Sequence, residues 1–302
     1  MYEVLINGPG PAGMTAAIYA ARAGYKTAIL EHGVPGGQAA TTDMIENYPG
    51  FPEGISGPAL MMNFFEQTQT FGVEMIYEQV QSMDVTGEVK KVITDKQTIE
   101  AKAVVIASGA KPRTLGVANE GRLRGRGVSY CATWDGFFFR DQPVAVVGGG
   151  DTAVEEAMYL TKMCSSVTLI HRRDELRANK LAQSRAFANE KLNIIFDTVV
   201  DDIVGDDKVT QLKLRNKKTD ETSTLDVNGV FIFVGYLPNA SFLPAELEVN
   251  EQGYIITDEE MATNVPGVFA IGDVRQKKLR QVTTAVGDGG AVMHGIEEYF
   301  RG

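Results

Sequence analysis

Twice in this chain a short apolar run breaks into closely spaced glycines and resumes as a helix-like segment. That repeat constrains the fold more than any other feature of the sequence. The first copy is "YEVLINGPGPAG", a strand-like run Tyr2 to Asn7 followed by Gly8-Pro9-Gly10-Pro11-Ala12-Gly13. The Ala-rich "MTAAIYAARAG" follows as a helix, and a second strand, "KTAILE", ends on Glu31. Strand, glycine turn, helix, strand and terminal acid together make a dinucleotide-binding unit, where the glycines alone would be weak. Gly8 permits the tight turn, Gly10 lets backbone approach a pyrophosphate, and Gly13 lets helix and strand pack closely. The pyrophosphate belongs at the positive end of the helix, with Glu31 accepting from a ribose hydroxyl. Two departures are small. Asn7 is polar at the end of an apolar strand, and Pro9 removes one backbone donor.

The second copy is "QPVAVVGGGDTAVEEAMYL": strand Val144 to Val147, then Gly148-Gly149-Gly150-Asp151-Thr152-Ala153, then a helix. Ala153 takes the third glycine position, where a small residue suffices. The next strand, "SVTLIHRRDELR", ends not in an acid but in His171-Arg172-Arg173, with Arg177 a turn further on. An acid would repel a 2′-phosphate, whereas guanidinium groups bind it through paired hydrogen bonds. The second site is therefore expected to prefer NADPH to NADH; the bland reading of the arginines is a solvated strand end. Two such sites in one chain imply a resident flavin dinucleotide and a visiting nicotinamide.

At 302 residues the chain has length for two domains, and 44% apolar with 23% charged residues is a soluble globular profile. A formal charge of −10 argues against nucleic acid or an anionic membrane as partner. No run of 18 apolar residues occurs and the first residues enter a strand at once, so neither a membrane span nor a signal peptide is expected. Cys131 and Cys164 are the only cysteines, too few for a disulfide scaffold and consistent with a reducing cytoplasm.

Between the glycine loops, "AKAVVIASGAKPR" is a strand running into the small-residue turn Ala107-Ser108-Gly109, which lets backbone come close to a cofactor. "NGVFIFVGYLPNA" is another strand and turn. "VPGVFAIGDVR" sets Gly272-Asp273 directly after a buried strand, at the carboxyl end where open sheets bind ligands. The expected architecture is α/β, with two Rossmann-like three-layer nucleotide-binding domains. The FAD domain takes 1–113 and 247–302, and the NADPH domain, 116–244, is inserted in it. The crossings are placed near Lys111 to Gly116 and Ser241 to Val249.

These pieces together resemble thioredoxin reductase of the short bacterial type over essentially the whole chain. The matching segments are "GPGPAGMTAAIYAARAG", "GGQ", "IENYPGF", "ASGAKPR", "GRGVSYCAT", "DGFF", "GGGDTAVEEA", "HRRDELRA" and "GDVRQKKLRQVTTA". The resemblance implies a homodimeric FAD enzyme that takes hydride from NADPH and reduces thioredoxin or a thioredoxin-like protein. It also implies a nicotinamide domain that rotates relative to the flavin domain. Carried over by position, Gly8, Gly10, Ala12, Gly13, Glu31, Gly37, Gln38, Asn47, Ala107, Gly109, Gly272, Asp273, Arg280 and Gln281 line FAD. Gly148, Gly150, Asp151, Thr152, His171, Arg172, Arg173 and Arg177 hold NADPH.

One departure concerns the chemistry itself. The family's centre is Cys-Ala-Thr-Cys-Asp, and here the run is Cys131-Ala132-Thr133-Trp134-Asp135. The missing sulfur is the one expected nearest the flavin, where it would form a disulfide with its partner. An indole has no thiolate and cannot form or resolve a disulfide. Asp135 is expected as the acid that protonates a departing thiolate. Cys164, in "TKMCSSVTL", reads as a small buried hydrophobe.

Three readings of Trp134 stay open. It is a replacement, or a UGA codon read as Trp, that blocks the centre. Alternatively it is native to an enzyme whose reduced FAD serves another acceptor: a ferredoxin or flavodoxin, a quinone, free flavin or oxygen. Or the indole packs on the flavin ring and leaves a protein with little turnover. The non-enzyme alternative is an NADPH-binding sensor. No metal site is expected, because His32, His171 and His294 lack ligand spacing.

Overall fold

The computed structural model describes residues 1–302 apart from Asp43 and Glu46 and the side chains of Thr133 and Trp134. The chain divides into two compact units, Met1–Lys111 with Leu237–Gly302, and Pro112–Tyr236. The second is thus inserted within the first.

In the first unit the strand Tyr2–Asn7 lies between Thr27–Glu31 and Thr98–Ile106, parallel to both. Its residues alternate between two cores: Val4 and Ile6 face one, Leu5 the other. A strand apolar on both faces is what a covered parallel sheet requires. Glu74–Tyr77 extends the sheet beyond Thr27–Glu31. The nine-residue strand Thr98–Ile106 forks. Its first half pairs antiparallel with Lys90–Thr94, and its second half takes Val268–Ala270 in parallel. The fork brings a strand from after the insertion beside the first glycine turn.

The helix Pro11–Arg22 covers one face, burying Gly13, Ala16, Ala17 and Ala20, small residues that permit close packing. The helix Val282–Arg301 packs against it. A Cβ on Gly289 would lie 2.5 Å from the carbonyl oxygen of Ala12 and 2.7 Å from Thr15 Cβ. The two helices therefore meet where one has no side chain.

The second unit centres on five parallel strands in the order Leu192–Ile195, Ser166–Ile170, Pro143–Gly148, Gly229–Phe233, Val128–Ser129. Val144 and Val146 face one core, Ala145 and Val147 the other. A three-stranded antiparallel sheet, Thr198–Val204, Gln211–Asn216 and Thr222–Asp226, belongs to the same unit.

The chain leaves the first unit after Lys111, against an expected crossing near Lys111 to Gly116. The return falls earlier than Ser241 to Val249, at Tyr236/Leu237. The cause is Asn239, whose side chain donates to the Ser108 carbonyl at 2.9 Å and whose N–H donates to the Gly109 carbonyl at 2.9 Å. Ser108 Oγ returns a bond to the Asn239 carbonyl at 2.8 Å. The chain is already fastened to the first unit before the proline-marked stretch begins.

Helix packing at Gly289 gives a discriminating pair of variants. Gly289→Ala forces a methyl into backbone and should cost about 1–3 kcal/mol. Gly290→Ala has only the Tyr19 ring, at 3.6 Å, to meet, and should gain up to about 1 kcal/mol of helix propensity. Thermal melts of both should move in opposite directions; a melt unchanged by Gly289→Ala would disprove the close approach.

Candidate functional site

The first turn leaves the strand Tyr2–Asn7 at Gly8, whose φ is +114°, and whose N–H donates to the Leu30 carbonyl at 3.0 Å. A Cβ on Gly8 would lie 2.5 Å from the Ala107 carbonyl oxygen, and one on Gly13 would lie 1.9 Å from the Gly8 carbonyl oxygen. Both positions exclude a side chain. Gly10, the helix N-cap, has nothing within 4 Å of its Cβ position, so the backbone there is open to a ligand. Pro11 sits in the first helical turn, where its missing N–H removes no helical bond.

Around this turn the structure gathers groups from distant parts of the chain. Asn7, Ile106 and Ala270 are adjacent strand ends in register. Asn7 Nδ2 and Asp273 Oδ1 are buried with no hydrogen-bond partner among the described residues. An orphan donor and an orphan acceptor at the carboxyl ends of a parallel sheet, beside an uncovered glycine, fit a bound dinucleotide. Burial raises the Asp273 carboxyl above its ordinary range, opposed by Lys277 and Arg280.

Glu31 ends its strand and accepts the N–H groups of His32 and Gly33. Gly37 and Gln38 open a short 3-10 turn, Gly37–Thr41, and a Cβ on Gly37 would lie 3.4 Å from Gly10 Cα. Asn47 Nδ2 donates to Gln281 Oε1 at 3.1 Å, joining two expected residues 234 positions apart. Arg280 donates to the Asp273 carbonyl at 3.4 Å and lies 4.0 Å over the Tyr254 ring. Ala107 and Gly109 flank Ser108 at the turn that Asn239 clamps. Ala12 is buried in the helix's first turn.

The second loop repeats the plan. A Cβ on Gly148 would lie 2.6 Å from Ala153 Cβ, and Gly150, the helix N-cap, is again open. Arg172, Arg173 and Arg177 are exposed, and their guanidinium groups have no ion-pair partner among the described residues. Three unpaired cations after the second strand are available to a phosphate. The Arg177 N–H donates to the Gly149 carbonyl at 2.7 Å, tying that segment to the loop.

Two expected residues are placed differently from the arginines. His171 is 4% exposed and packs on the loop: a Cβ on Gly149 would lie 2.2 Å from its Nδ1. Burial pushes its pKa down, and Arg177 and Arg173 push the same way. A ring kept neutral supports the loop backbone and brings no charge to an anion. Asp151 Oδ1 accepts from the Asn179 N–H at 2.7 Å and its side-chain amide at 2.8 Å. It braces the arginine segment against the helix start, while Thr152 beside it is exposed.

Cys131 is the N-cap of the short helix Ala132–Asp135. Ser129 Oγ donates to Asp135 Oδ2 at 2.6 Å and accepts the Cys131 N–H at 3.0 Å. The backbone of Trp134 is within this helix; its side chain lies outside the described residues. Cys164 is fully buried in the second unit's core, and burial pushes its thiol up to about 11.

Sequence reasoning missed Ser129, Asn179, Asn239 and Asp288, none of which carries a motif, and also Glu156. Glu156 Oε2 is buried with no hydrogen-bond partner among the described residues, and burial, with Glu155 nearby, raises its carboxyl to about 7. Glu260, His294 and Glu298 gather on an exposed surface, where His294 Nδ1 pairs with Glu260 at 3.2 Å. No helix among the described residues is long and apolar enough to cross a membrane.

The family model that matches residues 2–289 is that of the pyridine nucleotide-disulphide oxidoreductases. The thioredoxin reductase of Listeria innocua is 48% identical over 301 residues, covering 99% of this chain and 94% of that protein. That of Bacillus subtilis is 46% identical over 300 residues, covering 99% and 95%. The crystal structure of Lactococcus lactis thioredoxin reductase aligns with a TM-score of 0.94 at 49% identity, covering 99% of each chain.

The raised Glu156 carboxyl makes stability depend on pH with a definite sign. A carboxyl whose folded pKa lies above its unfolded value stabilises below the unfolded pKa, and that contribution is lost as pH rises through about 7. Glu156→Gln, which mimics the protonated form, should melt like the parent at pH 4.5. At pH 8 it should gain about 1–3 kcal/mol. An equal gain at both pH values would refute the buried, unpaired carboxylate.

Proposed function

The chain belongs to the pyridine nucleotide-disulphide oxidoreductases, among thioredoxin reductases of the bacterial type, and we propose that Trp134 blocks or impairs its dithiol step. FAD and NADPH are the cofactors of this family. The open Gly10 and Gly150 turns and the orphan polar groups are consistent with both. FAD, when bound, supplies acceptance of hydride from NADPH and delivery of electrons onward.

The chain's own residues then divide the work. Gly8, Gly10 and Gly13 would hold a pyrophosphate at a helix start, with Glu31 on the ribose and Asp273 as a buried acceptor. Gly148 and Gly150 would hold the second pyrophosphate. Arg172, Arg173 and Arg177 would bind a 2′-phosphate, with His171 and Asp151 fixing the loop and the segment that carries them. Ser129 would keep Asp135 and the Cys131 backbone in register for protonating a thiolate.

The observation that carries the reading concerns the thiols. Cys131 is followed at the fourth position by Trp134, and the only other cysteine is buried in the core at 0% exposure. A lone thiol forms a mixed disulfide but has no neighbour to resolve it. Thioredoxin or a thioredoxin-like protein is the proposed partner of the dithiol route, and the homodimer is proposed from the family alone.

Anaerobic titration with NADPH tests this directly. One equivalent per subunit should reduce the flavin fully, and Trp134→Cys should take up a second. With thioredoxin added, only the Trp134→Cys protein should sustain NADPH consumption. Steady turnover by the tryptophan protein would reject a blocked centre and favour another acceptor, such as a ferredoxin, a quinone or oxygen. Separately, Arg172→Ala with Arg173→Ala should raise KM for NADPH by at least about tenfold and leave that for NADH nearly unchanged. Equal losses for both nucleotides would remove the arginines from 2′-phosphate recognition.

A further inference from the structure

Asp288 is 7% exposed on the helix Val282–Arg301, and one of its oxygens holds three donors. Oδ2 accepts the Gly272 N–H at 2.9 Å, Arg275 Nε at 3.1 Å and Lys277 Nζ at 2.8 Å. Both cations are largely covered, with side chains 14% and 9% exposed. Arg275 is further fixed by the Thr257 hydroxyl at 3.2 Å, and Lys277 by the Thr284 carbonyl at 3.3 Å.

One carboxylate against two cations leaves a buried positive charge. The nearby acid is Asp273, whose carboxyl is raised by burial, with Lys277 and Arg280 opposing that rise and Asp288 adding to it. Lys277 is thus shared: bonded to Asp288 and acting at longer range on Asp273, whose Oδ1 has no hydrogen-bond partner among the described residues. In a water-poor site a flexible ammonium released from one carboxylate turns to the next. A buried ion cluster adds little net stability over apolar packing, so its consequence lies in where it holds its members.

We propose that Asp288 is a positioning residue for FAD: it retains Lys277 and tethers the Gly272 amide, so that the free oxygen of Asp273 stays available to the cofactor. This rests on the reading of Gly272-Asp273 as a flavin contact. Without the Asp288 charge, Lys277 closes on Asp273 and occupies the acceptor FAD needs.

The test measures FAD affinity of flavin-stripped protein by quenching of flavin fluorescence, with far-UV circular dichroism and NADPH binding as controls for folding. Asp288→Asn keeps an acceptor for the Gly272 N–H but releases Lys277, and should weaken FAD on the order of tenfold or more. Adding Lys277→Met to it removes the competing cation and should restore affinity to within about threefold of the parent. An Asp288→Asn protein that binds FAD like the parent, or a double variant no tighter than Asp288→Asn, would overturn the proposal. If Asp288→Asn fails to fold, the double variant should fold and bind FAD; its failure too would overturn it. Asp273→Ala separates the two levels. If it binds FAD normally, the flavin reading of the turn is wrong; if it binds weakly while Asp288→Asn does not, only the role of Asp288 falls.

Discussion

Where the first strand gives way to its helix, the carbonyl oxygen of Gly8 occupies space that any side chain on Gly13 would need. That single close approach sets how near the helix comes to the sheet and where its first turn begins. Because the strand is hydrogen-bonded on both sides, its neighbours end at the same edge, and their following residues are delivered there with it. Asn7, Ala107 and Asp273 reach one rim by three separate routes through the chain. The second unit uses the same device with a different filling: Ala153 stands in for glycine, and the His171 ring fills the space beside Gly149.

What could be read in the sequence was what repeats locally. Two glycine turns between apolar runs identify two nucleotide folds, because backbone approach is decided within about ten residues. Apolar residues at every strand position identify covered parallel sheets. What could not be read depends on partners far away in the chain. Asn239 shortens the insertion because it meets Ser108 and Gly109, and nothing in "YLPNA" announces that pairing. His171 looks like one more basic residue in "HRRDELR", yet it is buried while the arginines stay exposed. Asp151 sits in a phosphate loop by position but is bonded to Asn179. Asp288 lies in a glycine-rich helix, where an acid reads as solvated until the two cations are placed around it.

The segment Ser129 to Asp135 shows a different separation. Its scaffold is intact: the N-cap cysteine, the four-residue helix and the serine that bridges amide and carboxylate are all in place. On the proposed reading, the side chain at position 134 decides whether that scaffold performs disulfide chemistry, because nothing else in the motif supplies a second sulfur. On that reading the fold is distributed over many residues, while the terminal electron transfer hangs on one.

The inserted arrangement also orders events on the ribosome. The second unit has all its strands once Tyr236 is made, whereas the first still lacks Val268–Ala270 and the helix Val282–Arg301. At about 5–20 residues per second that wait lasts several seconds. Through it the face of the helix Pro11–Arg22 that will meet Gly289 stays uncovered, and Asp273 and Asp288 have yet to be made. The unit begun first is completed last, so the nascent chain can close one nucleotide-binding fold well before the other has its final strand and helix.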